Sequence, residues 1–288
     1  MEVIRDNTVS ERHLTGLFDW ELMTQGAKLL KSELIAFTVR TNKLAVPLIF
    51  LKKKNKLICP PTFAYNAFIP VKINFSDKSN QRHWLAIVNK LKKHLPRHGS
   101  ILCHPWYYDL RPFIWNNYKV DILYTFRNNM KWREQDVERE EKKQINKALK
   151  KNLMLVTHTP TQQLVDLLLQ SYRRHGRKPP YSSEYIYGLM ETARKNQTAQ
   201  VISVVDEEQN LLAFRAKLLS DRQDYDWIAG SNIQGLKQGA NAFALHESIK
   251  QSRDQGKIID LCGANTKSVA LFKAGFGMEL ISYARISW

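Results

Sequence analysis

Cysteine is scarce: the chain has three, Cys59, Cys103 and Cys262, an odd number, widely spaced and in no Cys-x-x-Cys pattern. That excludes a disulfide framework and a cysteine-based zinc cluster, and it suits a reducing compartment. Long apolar runs are also missing. The longest, Leu44 to Leu51, is too short to span a bilayer and is interrupted by Pro47. The opening residues, Met1 to Asp6, lack the apolar core of a signal peptide. The expectation is a cytoplasmic protein without a transmembrane segment, compatible with peripheral contact at the inner membrane face. There is no Gly-x-Ser-x-Gly elbow, no Walker A loop and no Gly-x-Gly-x-x-Gly fingerprint. His94 and His98 have a metal-like spacing, but Pro96 breaks the helix that would align them, so no metal site is expected. Cys103 and His104 are adjacent in a strand-like run and point to opposite faces, which excludes a nucleophile pair.

Acidic charge is in short supply as well. Forty-four Lys and Arg face 27 Asp and Glu, a formal net charge of +17. Such a surplus favours a polyanionic partner (nucleic acid, anionic lipid or a phosphorylated substrate), although a generically basic surface has the same composition.

Hydrophobic periodicity and turn residues give the element order. A helix over 20–30 is followed by strands over Leu34–Arg40 and Lys43–Phe50 with a turn at Thr41-Asn42. The Pro60-Pro61 loop precedes a helix over Asn80–Leu95 and a strand over Ser100–His104. The aromatic stretch Trp106–Trp115 leads to a strand over Tyr118–Phe126. A polar helix is predicted from Asn128 to Lys151. Next come helices over Gln162–His175 and Ser183–Lys195, and strands over Ala199–Val205, Leu211–Leu218 and Tyr225–Ala229. A helix over Lys237–Gln255 ends at Gly256 as a C-cap requires. A buried strand over Ile258–Leu261, a short helix over Ser268–Ala274 and a strand over Glu279–Ser287 complete the chain.

In the polar helix, Lys143, Lys147, Lys150 and Lys151 fall on one face, with Ile145 and Leu149 on another. Acid first and base last also complements the helix dipole, a reading that needs no ligand. Arg173, Arg174 and Arg177 form a second basic cluster where one helix gives way to a loop; forked guanidinium groups there suit phosphate, and a solvated loop explains them equally.

Two helices, three antiparallel strands, a helix, a buried strand, a helix and a final strand is the order of a GNAT acyltransferase half. Local sequence narrows it. Arg111-Pro112-Phe113-Ile114-Trp115-Asn116-Asn117-Tyr118, Gln144-Ile145-Asn146-Lys147-Ala148, Ala229-Gly230-Ser231, Ile259-Asp260-Leu261-Cys262-Gly263 and Phe272-Lys273-Ala274-Gly275-Phe276-Gly277 resemble successive signatures of the FemABX peptidyltransferases. They cover residues 105 to 288 in the family's order. The first third matches only in predicted shape. The resemblance implies an α/β (α+β) protein of two GNAT-like domains, each a mixed, largely antiparallel sheet flanked by helices. Residues 1–126 would form the first, completed by 278–288, and 127–277 the second. The long coiled-coil arm of some family members is absent.

The resemblance further implies an enzyme that moves an aminoacyl group from aminoacyl-tRNA to an amine of a peptidoglycan precursor, without a cofactor. Lys273, with Phe272 in the same motif, is implied to stabilise charge in the transition state; a solvated lysine on a short helix is the bland alternative. Tyr225, Trp227 and Ser231 would line the cleft and Asp260 the end of the buried strand, where holding a loop is its ordinary role. Lys143, Lys147, Lys150, Arg173, Arg174 and Arg177 are the candidates for phosphate or tRNA. A second reading, an acetyl-CoA or other acyl-CoA N-acyltransferase, rests on Gln234-Gly235-Leu236-Lys237-Gln238-Gly239-Ala240, which echoes the GNAT pyrophosphate loop without its spacing. A third is a non-catalytic GNAT-like scaffold that binds nucleic acid.

Overall fold

The computed structural model describes residues 2–5, 15–129, 131–174 and 176–288, with only the backbone of 2–5. The expectations for Met1, Asp6 and His175 lie outside the described residues. The chain divides into two compact units, one of Met1–Tyr124 with Ile281–Trp288 and one of Thr125–Leu280.

The first unit opens with β1 (Glu2–Arg5), α1 (Trp20–Leu29), β2 (Glu33–Arg40), β3 (Ala45–Lys53), β4 (Lys56–Ile58) and β5 (Ala67–Phe68). Next come α2 (Lys78–Leu91), β6 (Ser100–Cys103), α3 (Arg111–Trp115) and β7 (Lys119–Arg127), whose last residues enter the second unit. Its main sheet runs β1-β2-β3-β4, with β5 also on β3. The Asp77 side chain caps α2 by accepting from the Ser79 and Asn80 amides. The helix stops at Leu91, short of the expected Leu95. Pro96 disfavours helical geometry before it, and 92–94 tighten into three-residue turns, His94 N–H donating to Leu91 O. The core is aromatic: Trp84 stacks on Tyr107 at 5.4 Å and packs with Phe68, Phe75 and Phe113. The Trp84 indole donates to Asp109 O and the Tyr107 hydroxyl to Ile69 O, so neither buried polar tip is stranded. α3 was not expected. Its Pro112 near the start and Asn117 at φ 61° just past the end are its sequence signals.

The second unit contains α4 (Arg139–Lys150), β8 (Met154–Val156), α5 (Thr161–Arg174), α6 (Ser183–Lys195), β9 (Ala199–Val205), β10 (Leu211–Leu218) and β11 (Gln223–Ser231). It continues with α7 (Ile233–Gln238), α8 (Ala240–Asp254), β12 (Ile258–Asp260), α9 (Lys267–Ala274) and the start of β13 (Glu279–Ser287). Past Leu280, β13 belongs to the first unit, where it pairs antiparallel with β6 from Ala284↔Cys103 to Ser287↔Ser100. The sheet order in the second unit is β7-β12-β11-β10-β9-β8, antiparallel except for β11 on β12.

Two helices differ from expectation. The polar helix begins at Arg139, not Asn128. Before it lies a 3₁₀ turn over Glu134–Asp136, between the buried Trp132, whose indole donates to Phe276 O, and the buried Val137. Leu149, expected on an apolar face, is exposed, and Ala148 packs in its place. The helix expected over Lys237–Gln255 is two helices, α7 and α8, joined at Gly239. There φ is +81°, a conformation that suits glycine.

Gly239 is also sterically committed, since a Cβ there would lie 2.0 Å from the Gln144 carbonyl oxygen of α4. Gly256 has a similar φ of +70° but open space around it. In urea unfolding, Gly256→Ala is expected to cost about 1 kcal/mol, the left-handed penalty alone. Gly239→Ala should cost at least twice that, because backbone must also move.

Candidate active site

β11 and β12 run parallel and pair only at Gln223↔Ile258, Asp224↔Ile259 and Tyr225↔Asp260. β12 then ends while β11 continues to Ser231, so the two strands part beyond Asp260. The candidate site lies at this parting, on Asp226, the loop 261–264 and α9.

Lys273 is buried on α9. Its ammonium donates to three successive carbonyls, those of Leu261, Cys262 (3.1 Å) and Gly263 (2.9 Å). Cys262 (φ 52°) and Gly263 (φ 82°) are both left-handed, which turns these carbonyls toward one point. All three N–H donors are therefore taken, and the side chain ties α9 to the end of β12. Burial pulls its pKa down, the Asp226 carboxylate works against that, and Arg215 works with it. Lys273 is thus not a solvated surface lysine; its charge is locked in place beside the parting. Phe272 packs its ring on Phe276 at 5.3 Å and lies beneath the Arg215 guanidinium at 5.8 Å, a cation–π contact.

Asp260 is fully buried and accepts from Thr125 Oγ1 (2.6 Å), Arg127 Nε (2.7 Å) and the Cys262 amide (2.9 Å). It is a structural anchor that fixes where the loop begins. Tyr225 is buried beside it, and burial together with the Asp260 charge pushes its phenol well above the usual range. Trp227 is buried on the same strand two residues on. Ser231, at the far end of β11, is tied to α5. Its amide donates to Ser171 Oγ, and its carbonyl accepts from Ser171 Oγ and Arg174 Nη1.

The basic candidates divide in two. Lys143, Lys147 and Lys150 are exposed on α4, with Lys143 3.6 Å from Glu140, and Arg173 and Arg177 are exposed near the end of α5. Arg174 is partly buried, its guanidinium lowered by desolvation and spent on Ser231 O, so it braces α5 against β11. The α4 lysines, the Arg173/Arg177 pair and the Lys273 group form three separate clusters on the chain.

Sequence reasoning missed the Arg215–Asp226 pair. Arg215 Nη1 donates to Asp226 Oδ2 at 2.5 Å and Nη2 to Asn241 Oδ1 at 3.3 Å, with both charged side chains buried. Lys217 and Asp224, two residues along each strand, form a second buried pair at 3.5 Å, joined by Ser252 of α8. The readable signal was alternation: Arg215 and Lys217 against Asp224 and Asp226, in strands otherwise apolar.

The segment Gln234–Ala240 spans most of α7 and the Gly239 joint at which α8 begins. α7 is capped by Asn232 Oδ1, which accepts from the Gly235 amide at 2.6 Å. The Gln144 backbone of α4 lies close against Gly239. Among the described residues no cluster of His, Cys, Asp and Glu could hold a metal ion, and no helix is long and apolar enough to cross a membrane. Cys103 is buried, and burial drives its thiol far above its ordinary value.

Two units, the second with a largely antiparallel sheet that parts at the parallel β11–β12 pair and with helices packed against it, define a two-domain GNAT-like fold. Comparison with solved structures agrees. FemX superposes with a TM-score of 0.68 at 12% identity, over 99% of this chain and 97% of that one. L-PGS from Bacillus licheniformis gives 0.55 at 9% identity, over 93% and 91%. A tandem GNAT protein from the clavulanic acid biosynthesis pathway gives 0.52 at 9% identity, over 100% and 98%. At these identities the likeness is one of fold. No protein-family model and no curated protein matched the sequence.

Lys273→Met would leave three buried carbonyls without their donor and remove one of the two cations that act on Asp226. The expected loss is about 3–5 kcal/mol by denaturant unfolding. A pH signature accompanies it. Because burial holds Lys273 below its ordinary 10.5, the cost of its charge is fully present below the folded-state value. As pH rises from that value to 10.5 the folded chain releases the proton first, and stability rises. The difference in stability between wild type and Lys273→Met should therefore widen across that window.

Proposed function

We propose that this chain is an aminoacyltransferase that moves an aminoacyl group from aminoacyl-tRNA to an amine of a peptidoglycan precursor or similar acceptor. The observation that carries the reading is the correspondence with FemX across 99% of the chain, both units included. The chemistry is acyl transfer. A neutral amine attacks the ester carbonyl, a C–N bond forms, and the C–O bond to the terminal ribose breaks. The proton lost by the amine ends on the ribose oxygen. Such a step needs fixed positive charge near the developing oxyanion. Lys273 and Arg215 supply two cations beside the parting of β11 and β12, held by the loop carbonyls and by Asp226. Tyr225, Trp227 and Ser231 shape the wall along β11. The exposed Lys143, Lys147, Lys150, Arg173 and Arg177 serve the phosphate backbone, in keeping with the net charge of +17. The reading needs no cofactor, places the chain in the cytoplasm, and allows peripheral contact with the inner membrane face when the acceptor is lipid-linked.

A CoA-dependent N-acyltransferase is the second reading, favoured by the tandem GNAT neighbour. The spacing of Gln234–Ala240, which departs from that of a GNAT pyrophosphate loop, weighs against it. Calorimetry with acetyl-CoA and with total aminoacyl-tRNA separates the two. Salt-sensitive tRNA binding without a CoA signal supports aminoacyl transfer; micromolar CoA binding overturns it.

Charge reversal on the outer face of α4, Lys143→Glu with Lys147→Glu, should weaken tRNA binding without loss of fold, since both side chains are exposed. Two lost phosphate contacts should flatten the log–log salt dependence by about 1.4–1.8. An unchanged slope would place the tRNA elsewhere.

A further inference from the structure

The Arg215–Asp226 pair is incompletely used. Asp226 Oδ2 is bonded to Arg215, but Oδ1 is buried without a hydrogen-bond partner, and so is Arg215 Nε. Both side chains are more than nine-tenths buried, at 4% and 5% exposure. The neighbouring Lys217–Asp224 pair is different. Asp224 Oδ2 accepts from Ser252 and faces Lys217, while Oδ1 accepts from the Ser220 amide and faces Lys257. A closed pair and an open pair thus sit two residues apart on the same strands. Burying a polar atom without a partner is costly, so two such atoms on one ion pair call for a ligand.

Position and chemistry say which ligand. Asp226 is the first residue of β11 beyond its last pairing with β12, where the strands part. Its charge acts on Lys273 and on Cys262 of the pinned loop. The open valences are one anionic acceptor and one cationic donor, side by side. An aminoacyl ester carries the complement: an α-ammonium donor one carbon away from a carbonyl acceptor. An acetyl or other simple acyl group has only the carbonyl and would leave the carboxylate oxygen unpaired.

We propose that Asp226 and Arg215 form the receptor for the transferred aminoacyl group, with Asp226 Oδ1 taking the α-ammonium and Arg215 Nε the carbonyl oxygen. The proposal rests on the aminoacyl-transfer reading and specifies the substrate class of that site. The Arg215–Asp226 bond keeps the carboxylate oriented, and Phe272 and Asn241 fix the guanidinium from two other sides. Selection for an amine-bearing donor then follows from burial. An amine-free donor must desolvate the same carboxylate with nothing to offer it.

The test uses the full chain and three small probes of nearly the same size: L-alaninamide, L-lactamide and propionamide, which differ in ammonium, hydroxyl or methyl. Binding is followed by the backbone amide NMR signals of residues 225–228. Wild type should bind alaninamide at least about tenfold more tightly than propionamide, the factor expected of one charge-assisted hydrogen bond. Lactamide should fall with propionamide. Asp226→Asn should remove the preference while leaving the weak propionamide response. Because that variant also strips Arg215 of its ion partner, its folding is checked by thermal unfolding, and the wild-type comparison stands without it. Equal binding of alaninamide and propionamide by wild type, no binding of either, or a preference that survives in folded Asp226→Asn each overturns the proposal. Binding of aminoacyl-tRNA to wild type is measured alongside. If it persists while the amide preference is missing, the receptor assignment alone falls. If it is lost too, the aminoacyl-transfer reading falls with it.

Discussion

A lysine ammonium inside a protein core is tolerable only if its protons find acceptors, and Lys273 finds three in consecutive carbonyls. Much of the second unit depends on that arrangement. To present Leu261, Cys262 and Gly263 carbonyls to one point, the backbone must enter the left-handed region twice in a row, which cannot continue a strand. β12 is therefore cut off at Asp260, while β11, free of this demand, runs on to Ser231. The parting of the two strands follows from how a buried cation is satisfied. Asp260 reinforces it from the other side by accepting the Cys262 amide, so the first step out of the strand is held by both a carboxylate and an ammonium.

The ionic row on β10 and β11 follows a related logic. Arg215 and Lys217 alternate on one strand, Asp224 and Asp226 on the next, and all four side chains are buried. Buried ion pairs are poor sources of stability, since apolar residues of similar volume often do as well. The helix that covers this row shows the consequence. α8 offers the Asn241 and Ser252 side chains and the Ser248 carbonyl to it, polar groups that solvate the charges. Where that solvation is complete, at Asp224, the pair has only a structural part. Where it is incomplete, at Asp226, the cost is carried at the place where the sheet opens.

The strand and helix order was largely legible because it rests on periodicity and turn chemistry, both local. Ala199–Val205, Leu211–Leu218, Ser183–Lys195 and Glu279–Ser287 fall where alternation and helical spacing place them. The failures share a cause. Residues 128–138 read as helix because their polarity looked continuous with α4, but burial of Trp132 and Val137 draws the chain inward and breaks it. The α7–α8 joint was hidden because Gly239 reads as a weak helix residue until its neighbour across space, Gln144, is known. In the candidate site, Lys273 was legible through its motif, but its three carbonyl partners were not, because left-handed φ at a cysteine has no sequence signature. Arg215 and Asp226 were passed over for the converse reason: charged residues in central strands are expected to be exposed, and pairing across strands depends on register.

Helix α4 links the two questions that remain about the donor, its handle and its acyl group. Its backbone lies close against Gly239, so α4 packs on the joint between α7 and α8. The same helix carries Lys143, Lys147 and Lys150 on its exposed side. On the proposed reading these side-chain cations meet a phosphate-bearing carrier over a helix length and not at a single cradle. That geometry suits an extended backbone with many phosphates better than one pyrophosphate. On the proposed reading the carrier's handle and the reacting group are met by different residues, with Asp226 and Arg215 at the acyl end.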